Sequence, residues 1–424
     1  MPLNKIVVAL TGAIALTGAG QVLAQPLPTA SPESVGFSSQ RLQNIDAFFA
    51  AEIERKRVPG AVVAIARQGK LVYFKAFGQA DPIKGTAMNT ETIFQLASMT
   101  KIQVAVGALA LTEQGKLPLQ GKLADYFPAY GSMQVGVPTA DGRFSTEPQK
   151  RPILIHDLFR HTSGLTYGGR PDGGSAISAL WPSGGAASQM GSAAQMTDNL
   201  AKLPLVYQPG TVYEYSLSFD VLGAVVEKIT GKTLGGHLSD SVWKPLKMTD
   251  STFRPSEAQM VRVARPFAAN PLDGKPQSIA ALQRPATFDC GGACAFGTMG
   301  DYIRFGQMLL NGGNLDGAQV LSPAFVRLMT SDHLGTGIEN RVANVEPHRG
   351  GYGFGLGVAV RLQHGLAAVP GSPGEFSWNG ANGTGFFADP QQQLVVAFGT
   401  AAPGDLRKYY REQVQDLVYG ALNR

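Results

Sequence analysis

The strongest constraint on the fold is a serine and a lysine at the head of an apolar stretch. Ser98-Met-Thr-Lys101 follows a short apolar run (Ile93, Phe94, Leu96). It opens the Ala-, Val- and Leu-rich segment Ile102–Leu111, which ends near Gly115 and Pro118. This pattern predicts a buried helix with Ser98 at its N-terminus and Lys101 one turn on, on the same face. The two residue types suit each other chemically. Desolvation makes an amine shed its proton more readily, and a helix N-terminus favours developing negative charge, so a serine there can serve as a nucleophile without histidine.

The tetrapeptide alone is a weak signal, because S-x-x-K recurs by chance about once or twice in a chain of this length. A second copy, Ser241-Val-Trp-Lys244, is followed directly by Pro245, which removes a backbone donor and leaves no long helix to bury the pair. Only the first copy is read as functional.

The first 24 residues carry one lysine (Lys5), no acid, an apolar stretch from Ile6 to Leu16, and Val22-Leu23-Ala24 before Gln25. That is the layout of a secretory signal peptide cleaved after residue 24. Its apolar part is too short for a good membrane anchor, and the cleavage point has no cysteine for a lipid. The expectation is an exported protein, periplasmic in a bacterium, with no membrane anchor. The whole sequence is 44% hydrophobic and 16% charged, and its net charge of +5 falls to +4 without Lys5, a globular and enzyme-like composition. It has no Lys/Arg cluster or aromatic–basic stripe, so nucleic acid is not an expected partner. Cys290 and Cys294 flank Gly-Gly-Ala. They could close a small disulfide loop in an oxidising compartment or lie apart as small buried residues.

No cofactor and no metal are expected. Gly231-Lys-Thr233 lacks the glycine that a phosphate loop needs five residues earlier, and His156, Asp157 and His161 lack further ligands. There is no G-x-S-x-G pentapeptide for a Ser-His-Asp hydrolase, so Asp157 and His161 are read as structural hydrogen-bonding residues.

Along the chain, residues 38–54 read as a helix, and 61–66 and 71–76 as a hairpin around Gln68-Gly69-Lys70. Residues 98–285 alternate helical patches with Gly/Ser/Pro loops, notably 166–191. Residues 301–310 read as a helix, 353–362, 384–388 and 394–399 as strands, and 407–422 as an amphipathic helix. Val212-Tyr-Glu-Tyr215-Ser216 leads into a helical pattern (Val221, Leu222, Val225, Val226, Ile229) that stops at Gly231. Tyr215 therefore stands just before a helix N-terminus, where a phenolate is stabilised and can act as a base beside a lysine. Position alone better suits Tyr213 or Tyr215 as a packing aromatic at a helix entry.

Taken in order, these pieces resemble the serine β-lactamase-like superfamily, in detail class C β-lactamases, family VIII carboxylesterases and penicillin-binding-protein-like serine hydrolases. Phe94-Gln-Leu-Ala-Ser98-Met-Thr-Lys101 resembles the first family motif. Tyr215-Ser216-Leu217 resembles the second, Y-x-N, with leucine for asparagine. His161-Thr-Ser-Gly-Leu165, Pro245-Leu-Lys-Met-Thr-Asp250 and the stretch 291–310 are similar to further landmarks. Trp378-Asn379-Gly380 takes the place of the lactamase K-T-G triplet, as in family VIII esterases.

The resemblance implies an α/β (α+β) fold of the β-lactamase/transpeptidase type, an antiparallel sheet flanked by helices with an inserted mostly helical domain. Residues 25–95 with 300–424 would form the split α/β domain and 96–299 the helical one, with the site between them. It also implies catalysis by Ser98, Lys101 and Tyr215, an oxyanion hole from the backbone N–H groups of Ser98 and Ala381, and substrate contacts from Trp378, Asn379, Gly380 and Leu217. The expected activity is a serine hydrolase with an acyl-enzyme on Ser98, most simply a carboxylesterase on short to medium acyl esters. The rivals are a β-lactamase, a D-amino-acid peptidase or amide hydrolase, and a non-catalytic penicillin-binding-like ligand sensor.

Overall fold

The computed structural model describes residues 26–168, 175–182 and 191–423; the expected leader, residues 1–24, lies outside them. The scaffold is an eight-stranded antiparallel sheet drawn from both ends of the described chain. In chain order its strands are β1 (Gly60–Arg67), β2 (Lys70–Asp81), β3 (Thr86–Ala87), β4 (Tyr352–Phe354), β5 (Ala359–Arg361), β6 (Phe376–Gly380), β7 (Thr384–Asp389) and β8 (Leu394–Gly399). Their order in space is β4-β5-β6-β7-β8-β1-β2-β3. β1 and β8 pair from Val62 opposite Gly399 to Arg67 opposite Leu394, which joins the two chain ends inside one sheet.

Five helices build most of the layers around it: α1 (Ser39–Glu54), α2 (Thr100–Glu113), α3 (Ser218–Thr230), α4 (Met299–Leu310) and α5 (Leu406–Gly420). β1 is covered on both faces, which explains its unbroken apolar run. Ala61, Val63 and Ile65 enter a cluster with Leu42, Ile45 and Phe49 of α1 and Tyr410, Val414 and Val418 of α5. Val62, Ala64 and Ala66 alternate into the main core with α2, α3 and α4. α1 begins where Ser38 Oγ accepts from the Arg41 N–H at 3.2 Å. Among the described residues no helix is long and apolar enough to cross a membrane.

α4 lies close on the sheet because of Gly306. A Cβ at that position would fall 2.5 Å from Phe386 Cε2 and 2.6 Å from Val395 Cγ1. Gly306→Ala should therefore destabilise the protein by about 1–3 kcal/mol through overpacking, seen as a lower urea midpoint with an unchanged slope. A midpoint equal to that of the wild type would show that helix and sheet can separate freely.

Two expectations about elements need correction. The run 353–362 is not one strand: β4 and β5 form a hairpin, closed by the Gly355 N–H to Val358 carbonyl bond at 2.8 Å. Gly357 turns the chain there with φ 92°, a conformation open to glycine. The helical middle of the chain also holds a hairpin, Gln134–Pro138 with Phe144–Pro148. Its second strand is largely exposed and shows no apolar alternation.

Candidate active site

α2 has no polar face: every residue from Thr100 to Leu111 is buried. Its entry is a tight turn, Ala97–Met99, with Ala97 at φ 47°. That backbone is unfavourable for a residue with a Cβ, at about 1–3 kcal/mol, and such strain clusters at functional sites. The Gln95 side chain holds it in place. Its Oε1 accepts from the Ala97 N–H at 3.1 Å and from Asn382 Nδ2, and its Nε2 donates to the Ala293 carbonyl at 2.5 Å. The turn leaves Ser98 half-buried at the head of the helix.

Lys101 is 1% exposed. Its amine donates to Ser98 Oγ at 3.3 Å, to Tyr167 Oη at 3.3 Å and to the Gly292 carbonyl at 2.7 Å. It also lies 4.6 Å from the centre of the Tyr215 ring. Tyr215 stands three residues before α3, and its phenol oxygen accepts from Trp378 Nε1–H at 3.2 Å. The Trp378 ring packs 5.3 Å from it and that of His161 4.7 Å. The structure thus brings together Ser98 and Lys101, Tyr215, and Trp378, which the sequence places on three separate segments.

β6 arrives beside the turn that carries Ser98 because Gly380 lacks a side chain. A Cβ on Gly380 would lie 2.3 Å from the Leu96 carbonyl oxygen, and Thr384 Oγ1 donates to that same oxygen at 3.0 Å. Ala381, next in the chain, is exposed at the strand end. The Asn379 amide donates to Glu346 at 3.2 Å, and Leu217 is fully buried in the main core.

Three further residues belong to this site although sequence reasoning did not select them. Tyr167 bonds the lysine. Burial first, then Asp220 and Tyr215, hold its phenol well above the ordinary value, so it stays a neutral hydroxyl that accepts from Lys101. Asp220, on the first turn of α3, is 2% exposed. Burial pushes its carboxyl up to about 6 against the pull of Lys101 and of the Gly292 N–H, which donates to it at 2.9 Å. Gly292 touches both charged groups at once. Asp220 carried a faint signal, an acid just before the apolar run Val221–Val226; Tyr167 and Gly292 lie in loops without periodicity.

The histidines are engaged elsewhere. His161 is fully buried, with Nδ1 accepting from the Ser216 N–H at 3.2 Å, and burial, then Lys101, depress its basicity well below the ordinary value. His156 faces His333 at 2.9 Å, and His237 faces the Gly107 carbonyl at 2.9 Å. Asp157 binds Arg151 and Arg160. Among the described residues no group of three or more His, Cys, Asp or Glu side chains could hold a metal ion. The second S-x-x-K copy differs at every point: Ser241 Oγ donates to the His237 carbonyl, and Lys244 reaches an exposed Asp240.

Behind Tyr215 opens a cavity of about 250 Å³ whose walls include Thr166, Tyr207, Tyr213, Glu214 and Arg341. Arg341 is bonded to Tyr207 Oη and to Glu339.

Residues 45–418 match the family described as Beta-lactamase. Among curated relatives, Protein Rv1367c of Mycobacterium tuberculosis is 34% identical, with 80% of this chain and 84% of the relative covered. Esterase EstB of Burkholderia gladioli is 32% identical, covering 83% and 88%. Among solved structures, EstCE1, described as a hydrolase with promiscuous acyltransferase activity, superposes with a TM-score of 0.71 at 27% identity, covering 90% of this chain and 99% of its own.

Proposed function

The chain belongs to the Beta-lactamase family, and on that premise we propose that this serine hydrolase is a carboxylesterase acting through an acyl-enzyme on Ser98. In this reading Lys101 and Tyr215 share the proton work: one takes the Ser98 proton as Oγ attacks the ester carbonyl, and the other delivers a proton to the departing alkoxide. The N–H groups of Ser98 and Ala381 receive the oxyanion. Water then attacks the acyl-serine, and the acid is released. The likeness to Esterase EstB supports the ester as substrate, and that to EstCE1, a hydrolase with acyltransferase activity, supports acyl transfer.

The observation that carries this reading is Trp378. A lactamase needs a cation there to hold the substrate carboxylate, whereas this chain places an indole that is 1% exposed, with its N–H already given to Tyr215. An activated ester needs no such cation and little protonation of its leaving group. The p-nitrophenyl butyrate kcat/KM should exceed that of benzylpenicillin by at least roughly tenfold, about 1.4 kcal/mol of transition-state stabilisation. Steady-state kinetics on both substrates decide the matter. A better penicillin substrate would replace the esterase with a lactamase and make Arg341, beside Tyr215 in the adjoining cavity, the first cation to test. Export to an oxidising compartment completes the proposal, supported by the leader-like residues 1–24 and by a disulfide between Cys290 and Cys294.

A further inference from the structure

The Cys290–Cys294 loop packs directly against the site. Its two sulfurs are bonded, the Cα atoms are 5.3 Å apart, and the cysteines are 0% and 5% exposed. The short turn between them makes three of the contacts described above. The Gly292 carbonyl takes the shortest bond of the Lys101 amine, 2.7 Å; the Gly292 N–H holds Asp220 at 2.9 Å; and the Ala293 carbonyl holds Gln95, which fixes the turn before Ser98. Just beyond the loop, the Ala295 N–H donates to Thr100 Oγ1 at 3.1 Å, and its carbonyl accepts from the Leu96 N–H at 2.9 Å.

The loop has no long side chain with which to anchor itself. Glycine is required at both central positions: a Cβ on Gly291 would lie 2.3 Å from the Phe219 carbonyl oxygen, and one on Gly292 2.4 Å from Asp220 Oδ2. Two consecutive glycines leave the backbone maximally free, so something else must hold Gly292 against the lysine. A cross-link between positions four apart removes less freedom from the unfolded chain than a longer loop would. Its position in the structure points instead to local order at Lys101.

We propose that the Cys290–Cys294 disulfide is a positioning element of the active site, which fixes Gly292 so that its carbonyl orients the Lys101 amine toward Ser98 and its N–H orients Asp220. This rests on the reading of Ser98 and Lys101 as nucleophile and proton carrier. Breaking the bond costs turnover, because small displacements of a reacting group lower rates steeply while substrate binding is left alone.

The test compares the double variant Cys290→Ser/Cys294→Ser with Gly292→Ala, in which the disulfide is kept. Fluorophosphonate titration counts intact sites in each preparation, so that rates are expressed per folded active site. Both variants should titrate fully yet show kcat for p-nitrophenyl butyrate lowered roughly ten- to hundredfold, with KM within about twofold of wild type. A double variant with a wild-type per-site kcat overturns the inference. So does a loss confined to KM, or a slow double variant beside an unaffected Gly292→Ala. Ser98→Ala run in parallel separates the two ideas. If it still labels, the serine reading fails; if it is dead while the double variant is fully active, only the positioning role fails.

Discussion

Ser98→Ala should abolish covalent labelling by a fluorophosphonate and lower kcat for p-nitrophenyl butyrate by a factor on the order of 10⁵ to 10⁶, the scale on which nucleophile removal acts. The variant should fold normally, since it removes one oxygen from a half-buried side chain. The proposed reactivity of this serine rests on three local conditions: a buried amine at 3.3 Å, the head of a helix buried from Thr100 to Leu111, and a strained residue before it that is held by Gln95. None of these exists at Ser241, whose lysine is 72% exposed in its side chain and paired with Asp240. Ser241→Ala should therefore label and turn over like wild type. Stoichiometric labelling of Ser98→Ala, read by intact mass, would mean that the acyl group is carried elsewhere.

Next in size are Lys101→Ala and Tyr215→Phe, each expected to lower kcat by roughly two to four orders of magnitude, as removal of an acid–base group does. Tyr215→Phe is the cleaner of the two. The ring keeps its packing on Trp378, His161 and Tyr167, and only the hydroxyl that accepts from Trp378 is lost. Tyr213 supplies the control. Its hydroxyl is buried and makes no hydrogen bond among the described residues, so Tyr213→Phe deletes no interaction and should stay close to wild type. Rates measured by stopped flow on the same ester settle the comparison. A collapse in Tyr213→Phe beside a normal Tyr215→Phe would assign the role to the wrong tyrosine.

What could be read in the sequence is what local spacing encodes. Ser98 and Lys101 lie three residues apart on one helix, so their meeting follows from helical geometry. The β1–β2 hairpin, β8, α4 and α5 announce themselves through periodicity and turn residues. Tyr215 needed both its place at a helix entry and the resemblance. Residues that reach the site by long-range closure stayed hidden: Tyr167 and Gly292 meet the lysine across separations of 66 and 191 residues. Asp220 was disguised by its position, because an acid in the first turn of a helix is ordinary dipole chemistry. The hairpin at Gln134–Pro148 escaped because its second strand lies at the surface, where no alternation of apolar residues is required.

The union of both chain ends in one sheet also sets when the protein can become active. Gln95 meets Asn382 across 287 residues, and Leu96 meets Thr384 across 288. Until β6 and β7 dock beside the turn that carries Ser98, those anchors are missing, and on the proposed mechanism Ser98 is still an ordinary alcohol. At typical synthesis rates the ribosome needs roughly 15 to 60 s to add that much chain. On the proposed mechanism, the newborn polypeptide carries Ser98 unprimed through most of its own manufacture, and hydrolysis begins only when the last strands close.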